Sequence, residues 1–190
     1  MKKFITTIAT ALVLATSINV QAGFIDIELS SNTVASGDSI NVSLWADSFS
    51  DFDAMYFDFE FDNSLFAYQA PSLQSELPAF DGFLGLEVTE QFYGLSLSFL
   101  DFDAFTDLNL DGDNKFLIAS FDLLALSSGN SSFSITNQTA GLFNPNTFDV
   151  DPQPVDTSTP QSASAINVPE PSSFAIFMLS ALMLVRRKKQ

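Results

Sequence analysis

Residues 55–62 alternate strictly between apolar and polar side chains. The odd positions are apolar and the even positions are polar: Met55, Phe57, Phe59 and Phe61 against Tyr56, Asp58, Glu60 and Asp62. Successive side chains of a β-strand point to opposite faces, so the pattern predicts a strand with one buried face. A shift of one residue would bury three carboxylates, so the pattern also fixes which face points inward.

The same period of two recurs along the chain. It is carried by Ile25, Ile27 and Leu29, by Ile40, Val42 and Leu44, and by Leu95, Leu97 and Phe99. A more continuous apolar run covers 116–126, and Phe133 with Ile135 predicts a short late strand. Turn residues separate these runs at 36–38, 62–64, 81–82, 111–113 and 128–130. Several short strands punctuated in this way predict an all-β fold, a β-sandwich.

The order of these motifs resembles that of a cohesin domain. The similar segments are residues 33–42 (Thr-Val-Ala-Ser-Gly-Asp-Ser-Ile-Asn-Val), 57–65 (Phe-Asp-Phe-Glu-Phe-Asp-Asn-Ser-Leu), 117–121 (Leu-Ile-Ala-Ser-Phe) and 128–133 (Ser-Gly-Asn-Ser-Ser-Phe). The resemblance implies a jelly-roll sandwich of about nine strands over 23–150. It also implies a binding module, because the best-known cohesins bind dockerin modules by protein contact. Fold carries over better than function in such a comparison.

Positions 1–22 have the layout of a secretory signal peptide. Lys2 and Lys3 form the charged start, an apolar to small-residue stretch follows, and Ala22 ends a sequence suited to signal peptidase. We therefore expect a signal-peptide helix that is cleaved after Ala22. An uncleaved N-terminal anchor is the weaker alternative, because threonines and serines dilute the apolar run.

The last 23 residues, 168–190, are predicted to form a second targeting signal. A turn with two prolines precedes the apolar segment 174–185, and four cations follow it. The residues are Val168, Pro169, Glu170 and Pro171 in the motif, and Arg186, Arg187, Lys188 and Lys189 in the basic tail. The 12 apolar residues would span about 18 Å as a helix, so a single transmembrane helix is marginal. The cations are expected to stay in the cytoplasm.

This arrangement resembles the PEP-CTERM sorting signal, which a membrane enzyme called exosortase recognises. The resemblance implies a protein that is held briefly in the inner membrane with its domain outside and is then released to the cell surface or extracellular matrix. In that family such sorting accompanies exopolysaccharide production and biofilm formation. An ordinary C-terminal anchor is the alternative. Between domain and signal, the Pro-, Ser- and Thr-rich segment 151–167 predicts a flexible linker.

The charge distribution limits the partners. All 23 acidic residues lie between Asp26 and Glu170, and Lys115 is the only cation in that interval. Nucleic acid is therefore excluded as a partner, because its binding needs a basic face. With no histidine and no cysteine, thiol nucleophiles and imidazole metal sites are excluded as well, and we predict no enzyme activity and no required cofactor.

One loop offers a metal-ligand pattern. Asp107, Asn109, Asp111 and Asp113 place oxygen ligands on alternate residues around Gly112, as at the start of a calcium-binding loop. The twelfth position is Ile118 rather than an acid, so the EF-hand is incomplete. We favour a polar hairpin loop, and the alternative is a weak calcium site completed by Asp101 or Asp103.

Two rival functions remain from sequence. Trp45, the only tryptophan, is predicted on the polar face of its strand, and with Tyr56 or Tyr93 it would serve a glycan-binding module. Paired acids would serve a carboxylate glycosidase, but near neighbours are expected by chance among 23 of them. The interpretation we favour is an exported, non-enzymatic surface or matrix protein whose partner is exopolysaccharide or another surface protein.

Overall fold

The computed structural model describes residues 22–49, 52–101, 115–144, 146–147 and 149–167. Within these residues the chain forms twelve strands and no helix. The strands are β1 (Gly23–Leu29), β2 (Thr33–Ala35), β3 (Ser39–Asp47), β4 (Ala54–Glu60), β5 (Phe66–Gln74), β6 (Gly85–Gln91), β7 (Gly94–Leu100), β8 (Phe116–Ala125), β9 (Gly129–Asn144), β10 (Asp149–Gln153), β11 (Val155–Thr157) and β12 (Gln161–Ile166).

The strands form two sheets that pack face to face. The first sheet has the order β11-β1-β3-β8-β5, and the second has the order β2-β12-β9-β4-β7-β6, with β10 paired to the far part of β9. Most neighbours are antiparallel, but the C-terminal strands β11 and β12 run parallel to β1 and β2. The all-β sandwich predicted from the sequence is therefore confirmed.

The core lies between the sheets and is rich in phenylalanine. Phe57 and Phe59 of β4 are fully buried, and the Phe59 ring packs against Phe121 of the first sheet at 5.6 Å and Phe133 of its own sheet at 6.0 Å between centroids. Offset or edge-on aromatic pairs of this kind stabilise a core beyond the area they bury. Met55 and Phe61 are also buried, so the predicted inward face of this strand is confirmed.

The opposite face of β4 differs from the prediction in one residue. The alternation predicts that Asp58 is exposed on the polar face, yet its side chain is only 3% exposed. The residue does point away from the core, but neighbouring strands cover it with polar side chains instead of leaving it to water. This covering depends on strand pairing and not on the local pattern.

The predicted linker over 151–167 is wrong. Most of this segment forms β10, β11 and β12, and β12 lies between β2 and β9 with Ala163 and Ala165 buried at 2% and 3% exposure. The three prolines that suggested a linker occupy positions that strands tolerate: Pro152 on a strand paired on one side only, and Pro154 and Pro160 between strands. The folded domain therefore extends to position 167 and does not end at 150.

Two further sequence predictions change in extent. The apolar run 116–126 becomes β8, which ends at Ala125, so this strand is confirmed. The short strand expected around Phe133 and Ile135 belongs instead to β9, whose 16 residues pair with β12 near one end and with β4 and β10 further along. Its length was missed because threonine, asparagine and glycine interrupt the apolar pattern after Ile135.

Candidate functional site

The outer face of the second sheet carries a network centred on the Asp58 carboxylate. The alternation of β4 turns Tyr56 and Asp58 to this face. Asp58 lies directly opposite Ser96 of β7 and Thr136 of β9. The register of β4 with β9 shifts between Tyr56 and Asp58, so an extra residue of β9 enters the ladder there. This irregularity brings Asn137 to the carboxylate.

Four side chains donate hydrogen bonds to this single carboxylate. The Tyr56 hydroxyl donates to Oδ1 at 3.0 Å and the Tyr93 hydroxyl at 2.9 Å, and the Ser96 hydroxyl donates to the same oxygen. The Asn137 amide donates to Oδ2 at 2.7 Å. Both carboxylate oxygens are thus satisfied by groups from four separate places in the chain, as a buried charge requires.

The network controls the ionisation of Asp58. Burial raises the pKa of this carboxyl, but the hydrogen bonds from Ser96, Asn137, Tyr93 and Tyr56 outweigh burial and hold the pKa below its ordinary value. Asp58 is therefore charged at neutral pH. Because a carboxylate that stays ionised has no proton to give, the site is unsuited to general acid catalysis.

The surroundings of the network are polar and contain exposed aromatic rings. Tyr56 is 41% exposed, and the Phe92 ring, 91% exposed, contacts Tyr93 edge-on at 4.9 Å between centroids. The Thr136 hydroxyl donates to Glu60 Oε1 at 2.7 Å. The register of β6 with β7 adds Glu87, Thr89, Ser96 and Ser98 to the same face. The result is a broad polar surface on which hydrogen bonds to Asp58 hold Tyr56 and Tyr93 in place.

Trp45 lies where the sequence predicts, on the outer face of the first sheet. Its indole N–H donates to Glu28 Oε2 at 3.1 Å, and the Lys115 ammonium lies 4.8 Å from the ring centroid and 3.5 Å from Glu28. A cation–π contact therefore occupies one face of the ring. Tyr56 and Tyr93 belong to the outer face of the other sheet, so the structure does not bring them together with Trp45.

Most of the other predicted site residues lie outside the described residues. These are Val168, Pro169, Glu170 and Pro171, the basic tail Arg186, Arg187, Lys188 and Lys189, and the calcium candidates Asp107, Asn109, Asp111 and Asp113. Ala22 is described and directly precedes β1.

The described part of the chain offers neither a cluster of metal ligands nor a membrane-spanning helix. No group of three or more acidic side chains there is placed to hold a metal ion. The same residues contain no helix that is long and apolar enough to cross a membrane. The predicted C-terminal helix and positions 1–21 of the predicted signal peptide lie outside them.

Sequence reasoning missed the Asp58 network. The alternation of β4 marks Asp58 as outward-facing, but Ser96 and Asn137 stand 38 and 79 positions further along the chain. One local signal was available for Asn137, because asparagine is among the few residues that adopt the left-handed backbone, and Asn137 has φ 54°. That signal predicts a bulge or turn and does not predict its partner.

The fold is similar to those of solved cohesin structures. A cohesin of scaffoldin B from Acetivibrio cellulolyticus, solved in complex with a dockerin, is 16% identical with a TM-score of 0.54, covering 77% of this chain and 100% of that one. A type I cohesin–dockerin complex from Clostridium thermocellum gives 8% and 0.56, covering 77% and 95%. A non-cellulosomal cohesin from the archaeon Archaeoglobus fulgidus gives 7% and 0.55, covering 77% and 93%.

These similarities establish a cohesin-like β-sandwich and leave the function to be argued from the site. No protein-family model matches the sequence, and no curated protein matches it.

Proposed function

We propose that this protein is an exported, non-enzymatic module that binds another protein through the outer face of its second sheet. The observation that carries the proposal is the buried, ionised Asp58 on a face that points away from the core. On the outer face of an ordinary sheet, a carboxylate remains in contact with water and loses no solvation free energy. Here it is desolvated, and its hydrogen bonds fix Tyr56 and Tyr93 in place.

A rigid face suits protein recognition. Binding loses free energy when interface side chains must be ordered, roughly 0.5–1.5 kcal/mol for each flexible one, and a pre-ordered face avoids that loss. Tyrosine is enriched in protein interfaces and in their energetic centres. The solved complexes of cohesins with dockerins support the same use of this fold, although a dockerin need not be the partner here.

Catalysis and glycan binding receive less support. The lowered pKa of Asp58 removes the best-positioned carboxyl from acid catalysis. Lys115 covers one face of the Trp45 ring, and Tyr56 and Tyr93 lie on the outer face of the other sheet, so Trp45 and the tyrosines do not form one platform for a sugar. A surface or matrix protein is therefore favoured over exopolysaccharide as the direct partner.

The two predicted targeting signals extend the proposal to the cellular location of the protein. We infer export by signal peptidase cleavage after Ala22, brief anchoring by the C-terminal segment, and exosortase processing at Pro169-Glu170-Pro171, followed by delivery to the surface or matrix, where biofilm components are found. The described strands support this order, because β1 begins at Gly23 and β12 ends at Ile166. The two proposed signals would therefore flank the folded domain.

A cross-linking experiment tests the binding face. The complete protein, carrying a photo-activated cross-linker, is incubated with the extracellular fraction of its own cells, and the linked partner is identified and purified. Thr89 lies on the exposed outer face of β6 opposite Ser96, so Thr89→Arg places a large charge on the face without disturbing the core. We expect the purified partner to bind this variant at least about tenfold more weakly, a loss of about 1.4 kcal/mol.

The matched control is Asp156→Arg on β11, an exposed position of the other sheet. We expect the partner to bind this control as tightly as the unchanged protein. Equal affinity for Thr89→Arg and Asp156→Arg would remove the second sheet from consideration as the binding face.

A further inference from the structure

A hollow lies at one end of the same outer face, beyond Tyr56. Its volume is about 280 Å³ and its surface is almost wholly apolar. Ala54 and Leu100, directly paired across β4 and β7, line one part, and Phe143 and Val150, directly paired across β9 and β10, line another. Pockets for drug-sized molecules usually exceed about 300 Å³, so this hollow suits one or two side chains.

Gly141 explains why the hollow exists. Gly141 pairs with Ala54 on one side and with Pro152 of β10 on the other. A side chain at 141 would collide with the backbone of Asp151 and would come within 2.9 Å of the Val150 side chain. Only glycine therefore lets β10 approach so closely, and Val150 of β10 then forms a wall of the hollow.

Carboxylates lie beside this apolar surface. Asp53 Oδ2 accepts the backbone N–H of Phe143 at 3.1 Å, and Asp149 Oδ1 accepts the backbone N–H of Val150 at 2.8 Å. Asp101 and Asp151 are the chain neighbours of the lining residues Leu100 and Val150. Neighbouring Cα atoms are about 3.8 Å apart, so these charges lie within about one Debye length of the hollow at physiological salt. Lys115 is the only cation among the described residues, and it contacts Trp45 on the outer face of the other sheet. The potential at the hollow is therefore negative.

We propose that the hollow receives one large apolar side chain, of the size of leucine or phenylalanine, from a basic polypeptide segment of the partner. This inference rests on the proposed function, because it names the anchor of a partner held on the same face. Energetic centres of interfaces are commonly single large side chains seated in desolvated pockets. The apolar lining favours the large apolar side chain, which we call the anchor. The carboxylates near the hollow favour Lys or Arg beside the anchor in the partner's sequence.

The negative potential at the hollow disfavours two other occupants of the hollow. A second copy of this chain carries the same charge, with a net charge of −16, and would be repelled. An anionic membrane surface attracts basic segments and repels the carboxylates near the hollow. The hollow also lies far from β12, where the chain leaves the folded domain at its C-terminal end. Gly129 pairs with Ala165 of β12, and twelve positions of β9 separate Gly129 from Gly141 at the hollow. That is about 40 Å of extended strand.

The test uses random heptapeptides displayed on phage and the complete chain immobilised in a mild nonionic detergent. We expect enriched peptides with one Leu, Ile, Phe or Trp beside Lys or Arg. Val150→Asp places a charge in the hollow and should weaken a synthetic copy of such a peptide at least about tenfold. Leu142→Asp is the matched control, because Leu142 is exposed on the same hairpin and does not line the hollow.

Two more variants separate shape from charge. Ala54→Leu fills the hollow without adding charge and should weaken binding about as much as Val150→Asp, so the result does not depend on one variant folding well. The double change Asp149→Asn with Asp151→Asn keeps the hollow and should weaken binding severalfold at low salt and little at about 0.5 M salt. The control for charge is Asp26→Asn with Asp156→Asn on the first sheet.

Three outcomes overturn the inference: enriched peptides without basic residues, unchanged affinity in both Val150→Asp and Ala54→Leu, or equal losses in Leu142→Asp. The proposed function fails separately. If the natural partner ignores Thr89→Arg, the binding face is wrong, whatever the peptides do. If the partner is lost by Thr89→Arg but keeps its affinity for both hollow variants, the face stands and the anchor proposal falls.

Discussion

Asn137 donates its side-chain amide to Asp58 Oδ2 at 2.7 Å from a backbone position with φ 54°. The left-handed backbone at this residue of β9 lies where the register with β4 shifts, so a local irregularity of the strand and a buried charge are coupled. Most side chains pay a steric cost in this conformation, and asparagine pays less than most. The residue thus serves both the bulge and the carboxylate.

The first prediction concerns Asp58 and pH. Asp58→Asn keeps the shape but removes the charge and sets an amide N–H group among donors, so we expect a loss of about 2–3 kcal/mol in the free energy of unfolding at pH 7. The folded pKa lies below the ordinary value of about 3.9, so the stabilisation is present above that value and is lost as pH falls through the folded pKa.

Urea unfolding of both proteins between about pH 7 and pH 3 measures this difference. The gap between Asp58→Asn and the unchanged protein should be constant above about pH 5 and should narrow below about pH 4. Asp156→Asn, an exposed change, serves as control. A gap that widens on acidification would contradict the lowered pKa.

The second prediction concerns the core. Phe59 is fully buried and its ring contacts Phe61, Phe121 and Phe133. Phe59→Ala should lower the free energy of unfolding by about 3–5 kcal/mol, because it removes a large ring and leaves a cavity. Phe92→Ala, at a position that is 91% exposed, should change it by less than about 0.5 kcal/mol. Similar losses for the two changes would show that Phe59 does not lie between the sheets.

The third prediction tests the C-terminal strand. Ala163 of β12 is buried and Ser162 beside it is exposed. Ala163→Asp would bury an unpaired charge and should destabilise the domain by about 3 kcal/mol or more, whereas Ser162→Asp should have a small effect. Thermal unfolding of the two variants decides between a strand and a linker. Equal stability would restore the linker interpretation.

Strands with large apolar side chains were predictable from the sequence, and strands with small ones were not. Burial of Phe57 and Phe59 was predictable, because large apolar side chains at a period of two have one stable orientation. β12 was missed because its inward residues, Ala163 and Ala165, are small and alternate with serine, which gives a weak contrast. The three prolines of the segment favoured the linker prediction over this weak strand pattern, although edge strands and the turns between strands accept proline.

The binding face was predictable only in part. Tyr56 and Asp58 were assigned to the correct side of β4, but Ser96, Tyr93 and Asn137 reach Asp58 through the pairing of strands that are distant in sequence. Such registers depend on the whole sheet and on a bulge that local periodicity does not reveal. The hollow was harder still to predict, because it forms only where Gly141 allows β10 to pack closely against β9.

The fourth prediction keeps the calcium hypothesis testable. If Asp107, Asn109, Asp111 and Asp113 bind calcium weakly, millimolar calcium at a site of millimolar affinity should stabilise the protein by about 0.4 kcal/mol. Melting temperatures with calcium and with a chelator measure the effect, and magnesium controls for ionic strength. A calcium-dependent shift that is unchanged in Asp111→Asn would assign it to other residues.

The last prediction concerns processing of the C-terminal signal. β12 ends at Ile166, whose carbonyl accepts the Ser36 N–H at 2.8 Å, and only Asn167 separates this strand from Val168. A processing enzyme at Pro169-Glu170-Pro171 must therefore work within a few residues of the folded domain, each worth at most about 3.6 Å of reach. We expect surface protein that ends between 168 and 172 and lacks the basic tail.

Two changes separate recognition of the motif from access to it. Replacing Pro169, Glu170 and Pro171 with alanine should leave the full-length form in the membrane, because the motif is lost while the anchor remains. A short Gly/Ser insertion after Asn167 should keep the motif and speed processing, because it moves the cleavage site away from β12. Mass spectrometry of surface and membrane fractions measures both. Surface protein that retains Arg186, Arg187, Lys188 and Lys189 in cells with an exosortase would show that the C-terminal segment is a permanent anchor, because removal of the tail is the defining consequence of processing at the motif.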